Sequence, residues 1–114
     1  MLRRPLVLLL LVAGCSRGPG ADLPYVSEAR SLAAEWALVN EQASEGRLTG
    51  AYVRTMRQAV REQLQTTAKA LTEPNSPYAR EIEALLREPD AARPAELRAH
   101  AGRLKQIEDD LESA

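Results

Sequence analysis

An all-α fold, a small antiparallel helical bundle, is what the sequence predicts. Apolar residues recur three and four positions apart from Tyr25 almost to the C-terminus, which is the repeat of a single helix face. No stretch alternates apolar and polar side chains long enough to make a strand. Helix start and stop residues fall between the periodic segments: Gly46, Thr49, Ser76-Pro77 and Pro89.

Residues 1–14 stand apart from this pattern. Arg3 and Arg4 make a basic start, Leu6 to Val12 is an unbroken apolar run, and the small residues Ala13 and Gly14 precede Cys15. A bilayer-spanning helix needs about 20 apolar residues. The run is less than half that long, so it reads as the core of a removable signal peptide and not as a lasting membrane span.

Val12-Ala13-Gly14-Cys15 resembles the lipobox of bacterial lipoprotein precursors. The resemblance implies that the Cys15 thiol receives a diacylglyceryl group, that the chain is cut before Cys15, and that acyl chains such as palmitate hold the protein in the cell envelope. Ser16, standing where an aspartate would retain such a protein at the inner membrane, implies the outer membrane, facing the periplasm. The resemblance ends at Ser16 and carries no activity over to the helices. The alternative is ordinary secretion, with Val12 and Gly14 accepted by a general signal peptidase and Cys15 left as a free thiol. A lone thiol in an oxidising compartment is a liability that lipidation removes. One acyl chain binds a membrane marginally, at about 0.8 kcal/mol per buried CH₂, whereas two or three on one cysteine hold firmly.

Residues 15–23 carry Gly18, Pro19 and Gly20 without apolar periodicity, and read as a flexible tether. Residues 24–114 make the helical domain. Its first helix is expected from Tyr25 to about Glu45, with Val26, Ala29, Leu32, Ala33, Trp36, Val39, Asn40 and Ala43 on one face and Gly46 at its C′ position. The second begins at the N-cap Thr49, with Leu48 and Val53 spaced for a hydrophobic staple. Tyr52, Val53, Met56, Val60, Leu64, Thr67 and Leu71 make its apolar stripe, and the short link from Gly46 to Thr49 makes the two helices an antiparallel hairpin. Ser76 as N-cap and Pro77 as the first helical residue start a short third helix that Pro89 stops. The last helix begins between Asp90 and Pro94, with Leu97, Ala101, Leu104, Ile107 and Leu111 inward. A hairpin alone cannot bury all these faces, so the helices should close into an up-and-down bundle.

Composition excludes several functions. Removing Arg3 and Arg4 from the 15 basic residues leaves 13 against 16 acidic ones, a net charge of −3, the wrong sign for a nucleic-acid partner. A single cysteine rules out an internal disulfide and zinc sites built from paired thiolates. Nothing in the pattern calls for a metal or another cofactor. With no Phe and one Trp, the core must be built from Leu, Val, Ile, Met and Ala.

The candidate partner-binding residues are Arg54, Arg57, Arg61 and Leu38. The arginines fall within about 60° of one another on the second helix at 100° per residue. They can dock an anionic partner, or cover the core edge by pairing with Glu35 and other carboxylates of the first helix. Leu38 points away from the Trp36 face, either under a further helix or into an exposed apolar patch for a partner. His100 is the only histidine, expected at the edge of the apolar face, and no second His or thiol completes a metal or nucleophile set around it. Glu108, Asp109, Asp110 and Glu112 lack the spacing of a calcium loop and read as a solvated helix end. Trp36 reads as core.

The function expected is a non-enzymatic structural or protein-interaction module, held to the membrane through lipid on Cys15 and facing an envelope protein partner. The alternative is a periplasmic ligand carrier or an inhibitor of an envelope enzyme, which needs a pocket or an exposed anchor. An enzyme ranks last, because no acid and base pair or activated nucleophile is visible.

Overall fold

The structure, a computed structural model, describes residues 18–114. The expected signal peptide, Cys15 and the two residues after it lie outside the described residues. Four helices make up the described chain: α1 (Pro19–Ser44), α2 (Gly50–Ala70), α3 (Pro77–Leu86) and α4 (Pro94–Ser113). They pack as an antiparallel bundle, with no strand among the described residues.

Three of the helix boundaries follow from local chemistry. Thr49 caps α2 by accepting a hydrogen bond from the Tyr52 amide at 3.2 Å. Ser76 caps α3 by accepting from the Ala79 amide at 3.1 Å, with Pro77 as its first residue. Gly46 takes the left-handed conformation, φ 73°, that closes α1. Its amide donates to the Ala43 carbonyl and the Arg47 amide to the Gln42 carbonyl, the paired bonds of a Schellman turn.

The start of α1 corrects the expected boundary. The helix begins at Pro19, six residues before Tyr25, so residues 19–23 belong to the bundle and are not tether. Gly18, at φ 86°, turns the chain in, and Pro19 has its φ already set for the first turn. Pro24 lies inside the helix and cannot donate to the Gly20 carbonyl, but both residues are exposed, so water can satisfy that oxygen. What draws this extra turn into the fold is Asp22, which is completely buried.

The central element is α1. It runs antiparallel to α2, as the Asp22–Thr72, Glu28–Gln63 and Asn40–Arg57 pairs demonstrate. It also runs antiparallel to α4, through Arg30–Glu108 and Arg98–Glu41. Its most extensive packing is against α4, its more distant partner in sequence. Both α2 and α4 pack on α1 but not on each other, and α3 packs against both of them and less extensively against α1. The core comprises Val26, Ala29, Leu32, Ala33, Trp36 and Ala37 of α1, Val60 and Leu64 of α2, Tyr78, Ile82 and Leu85 of α3, Ala92 of the α3–α4 link, and Leu97 and Leu104 of α4. Ala29, Ala33 and Ala37 are completely buried, and their small side chains let neighbouring helices come close.

Several residues depart from their expected burial: Met56, Leu71, Ala101, Ile107 and Leu111 are partly buried, as is Ala43, and Tyr52 is exposed. Tyr52, assigned to the α2 stripe, is half exposed, since it sits in the first turn about 100° round the helix from Val53. Ala43 is only partly buried, because it lies in the last turn of α1, where the bundle thins.

Candidate functional site

The arginines of α2 converge on the link between α3 and α4. Arg61 is the most committed of them. Its guanidinium lies 4.8 Å from the centroid of the Trp36 ring, a cation–π distance. Its Nη1 donates to the Leu86 carbonyl at 2.8 Å, its Nη2 to the Glu88 carbonyl at 2.7 Å, and its Nε to Asp90 Oδ1 at 3.1 Å. Leu86 ends α3, so Arg61 caps that helix at its negative pole with a cation from a neighbouring helix.

Asn40 and Trp36 hold the same link from the α1 side. Trp36 Nε1 donates to the Asp90 carbonyl at 3.0 Å. Asn40 Nδ2 donates to the carbonyls of Asp90 and Ala92, at 3.0 and 2.7 Å. The amide oxygen of Asn40 then accepts from Arg57 Nε at 2.8 Å. Asn40 is 4% exposed, so the orientation of Arg57 is set by a buried amide whose own position is fixed by backbone. Arg54, one turn earlier, is exposed, and among the described residues its guanidinium forms no ion pair. Arg54, Arg57, Gln58, Arg61 and Asp90 line an open depression of about 320 Å³.

The arginine strip therefore divides. Arg57 and Arg61 do cover the core edge, but their partners are Asn40 and the α3–α4 link, whereas carboxylates of α1 were expected. The α1 carboxylates face elsewhere: Glu41 accepts from Arg98 of α4, and Glu28 from Gln63. Leu38 is 51% exposed. No further helix covers it among the described residues, since α3 packs on the other side of α1.

His100 is more deeply placed than its sequence position suggested, at 5% exposure. Its Nδ1 lies 2.5 Å from Glu81 of α3 and its Nε2 2.7 Å from Glu88 of the link. Arg103 Nε also donates to Glu81, at 3.0 Å. The carboxylates lie on opposite sides of the ring, so His100 bridges two carboxylates. Among the described residues no group of His, Cys, Asp and Glu is arranged to hold a metal ion.

A buried polar cluster that the sequence reading missed lies at the other end of the bundle. The Asp22 carboxylate accepts from four donors: the Thr72 amide (2.9 Å), the Thr72 hydroxyl (2.9 Å), the Glu73 amide (3.1 Å) and the Tyr78 hydroxyl (2.7 Å). Burial alone would raise its pKa, but these donors, Tyr78 foremost, hold the carboxyl below the usual carboxylate range. Burial and the same bond push the Tyr78 phenol up to about 12. Asp22 lay within the expected tether; the nearest local signal is its place in the first turn of α1, three residues after Pro19.

Glu108 corrects the reading of the C-terminal acids as a solvated end. It is 8% exposed and accepts from Arg30 Nε at 2.6 Å. Burial would raise its pKa, but the bonds from Arg30 and Ser27 outweigh this and lower it. Asp109 pairs with Lys105 at the surface, whereas Asp110 and Glu112 are exposed.

Beside the Asp22 cluster, Pro19, Pro74, Pro77, Tyr78, Ile107 and Leu111 line a mostly apolar groove of about 570 Å³. Glu73 and Asp110 also line it. The start of α1, the α2–α3 link and the end of α4 thus share one end of the bundle, its base. No helix of the described residues is long and apolar enough to cross a membrane. No protein-family model, no curated protein and no solved structure matches the chain.

Proposed function

We propose that this protein is a lipid-anchored component of the bacterial cell envelope, a non-enzymatic interaction module facing the periplasm from the outer membrane. The observation that carries the reading is the order of the N-terminal signals: Arg3-Arg4, the apolar run Leu6 to Val12, and Val12-Ala13-Gly14-Cys15. The bundle begins at Pro19, four residues beyond Cys15, a distance of at most about 14 Å of extended chain. An acylated Cys15 therefore keeps the base of the bundle close to the bilayer. Adhesion through the base itself is disfavoured by Glu73 and Asp110, which face an anionic headgroup surface with the wrong charge. Lipid on Cys15 supplies the anchor in its place.

The test is the mass of the mature N-terminal peptide from the membrane fraction, alongside Cys15→Ala. A diacylglyceryl-modified Cys15, with the variant lost from the membrane, is the expected result. An unmodified Cys15 in a soluble protein sinks the reading and makes a diffusing carrier or inhibitor the better one. The basal groove is what favours that second reading, since it is apolar and open to a small ligand.

A further inference from the structure

We propose that Arg57, with Arg54 and Gln58 beside it, forms a docking site for the carboxylates of an acidic segment on a partner protein. The inference deepens the proposed role as an interaction module and rests on that reading for the partner's location.

Arg57 differs from an ordinary surface arginine because its orientation is imposed. Its Nε is held at 2.8 Å by the Asn40 amide oxygen. Asn40 is in turn clamped by the carbonyls of Asp90 and Ala92. Among the described residues only the Nε of Arg57 is bonded, which leaves both terminal nitrogens available to a ligand in the depression that the side chain lines. A guanidinium fixed in this way loses little rotamer freedom on binding and presents the planar fork that matches a carboxylate in two parallel bonds.

The neighbouring Arg61 already carries this chemistry within the chain. Asp90 Oδ1 sits 3.1 Å from its Nε and 2.9 Å from its Nη2. Asp90 neutralises Arg61 but leaves Arg54 and Arg57 as the positive charges of the depression, with the Gln58 amide as a further donor. A ligand with closely spaced carboxylates can engage both.

Position decides between an acidic protein segment and a lipid headgroup. Asp22 marks the base of the bundle, and Asn40 lies eighteen residues further along α1, about 27 Å away at the helical rise of 1.5 Å per residue. The arginines therefore lie toward the end of the bundle away from the tether to Cys15, and with the bundle standing on its base they are farther from its own bilayer than a Debye length of about 8 Å at physiological salt. The anion within reach there is one carried by another protein.

The experiment follows the arginine Nε–H signals of the ¹⁵N-labelled protein, purified with whichever N-terminus it carries, during titration with an oligoglutamate peptide. Sodium chloride of equal ionic strength is the control. Saturable shifts of the Arg57 and Arg54 signals in the millimolar range or tighter are expected. Arg54→Gln, at a side chain that forms no ion pair, should weaken binding without altering the fold. Arg57→Lys keeps the charge but loses the fork, and should weaken it about tenfold. Binding equal to wild type in Arg57→Lys, shifts reproduced by chloride, or a response to phosphatidylglycerol vesicles in place of the peptide would each overturn the proposal. Because the titration does not depend on the state of Cys15, its failure is distinct from failure of the lipid-anchor reading.

Discussion

Asp22 is the residue on which the base of the bundle depends. A fully buried carboxylate survives as an anion because four donors surround it, and removing its charge leaves several of them short of an acceptor. We predict that Asp22→Asn lowers stability by about 2–4 kcal/mol, measured by urea unfolding. The sign with pH follows from the lowered pKa of the folded state. The contribution is fully present above the unfolded carboxyl value of about 4 and is lost as pH falls through the lower folded value. Acid unfolding of Asp22→Asn should lack that part of the slope, and an unchanged acid profile would remove Asp22 from the account. Tyr78 gives the matching signal at high pH. Its phenol, raised to about 12 by burial and by Asp22, adds stability below the unfolded value of about 10 that disappears as pH rises toward the folded one. An absorbance titration of wild type against Tyr78→Phe should therefore reveal one phenol ionising at about 12.

At the scale of the element, the short helix α3 relies on its neighbours. It has ten residues, fewer than an isolated helix needs in water. It is held at its start by Ser76 and by the bond from Tyr78 to Asp22, and at its end by Arg61. The His100 bridge to Glu81 and Glu88 ties its outer side to α4. Arg61 binds two carbonyls, one carboxylate and an aromatic face together. A lysine reaches only some of these with its single ammonium. Arg61→Lys should therefore destabilise the protein by about 2–3 kcal/mol in chemical denaturation, far more than an exposed ion pair is worth. Wild-type stability in that variant would mean that α3 needs no cap from α2.

The whole molecule is organised around α1, which touches every other helix. The layer formed by α2, α1 and α4 is closed on one face by α3, whereas the opposite face of α1 carries the exposed Leu38. This arrangement makes the N-terminal turn of α1 part of the fold and not an appendage. A chain beginning at Gly18 should keep the melting temperature of the longer protein. One beginning at Tyr25 loses Asp22 together with the first turns of α1. Its melting temperature should fall on the order of 10 °C or more, as read by circular dichroism. Equal melting of the two truncations would return residues 19–23 to the tether.

What the sequence determined by itself is every feature carried by near neighbours in the chain. The helix faces, the Thr49 and Ser76 caps, the Gly46 turn and the antiparallel hairpin all arise from interactions a few residues apart, so local pattern reveals them. The proposed lipobox at Val12 to Cys15 likewise rests on local pattern alone. Tertiary structure alone decided the rest. Pro19 to Leu23 look like a linker until Thr72, Glu73 and Tyr78, some fifty residues away in sequence, surround Asp22 and make the extra turn worthwhile. The preference of α1 for α4, the burial of His100 and Glu108, and the division of the arginines between structural and free also depend on partners distant in the chain. A buried polar group is stable only where its hydrogen bonds are met, and those partners come together only once the helices pack.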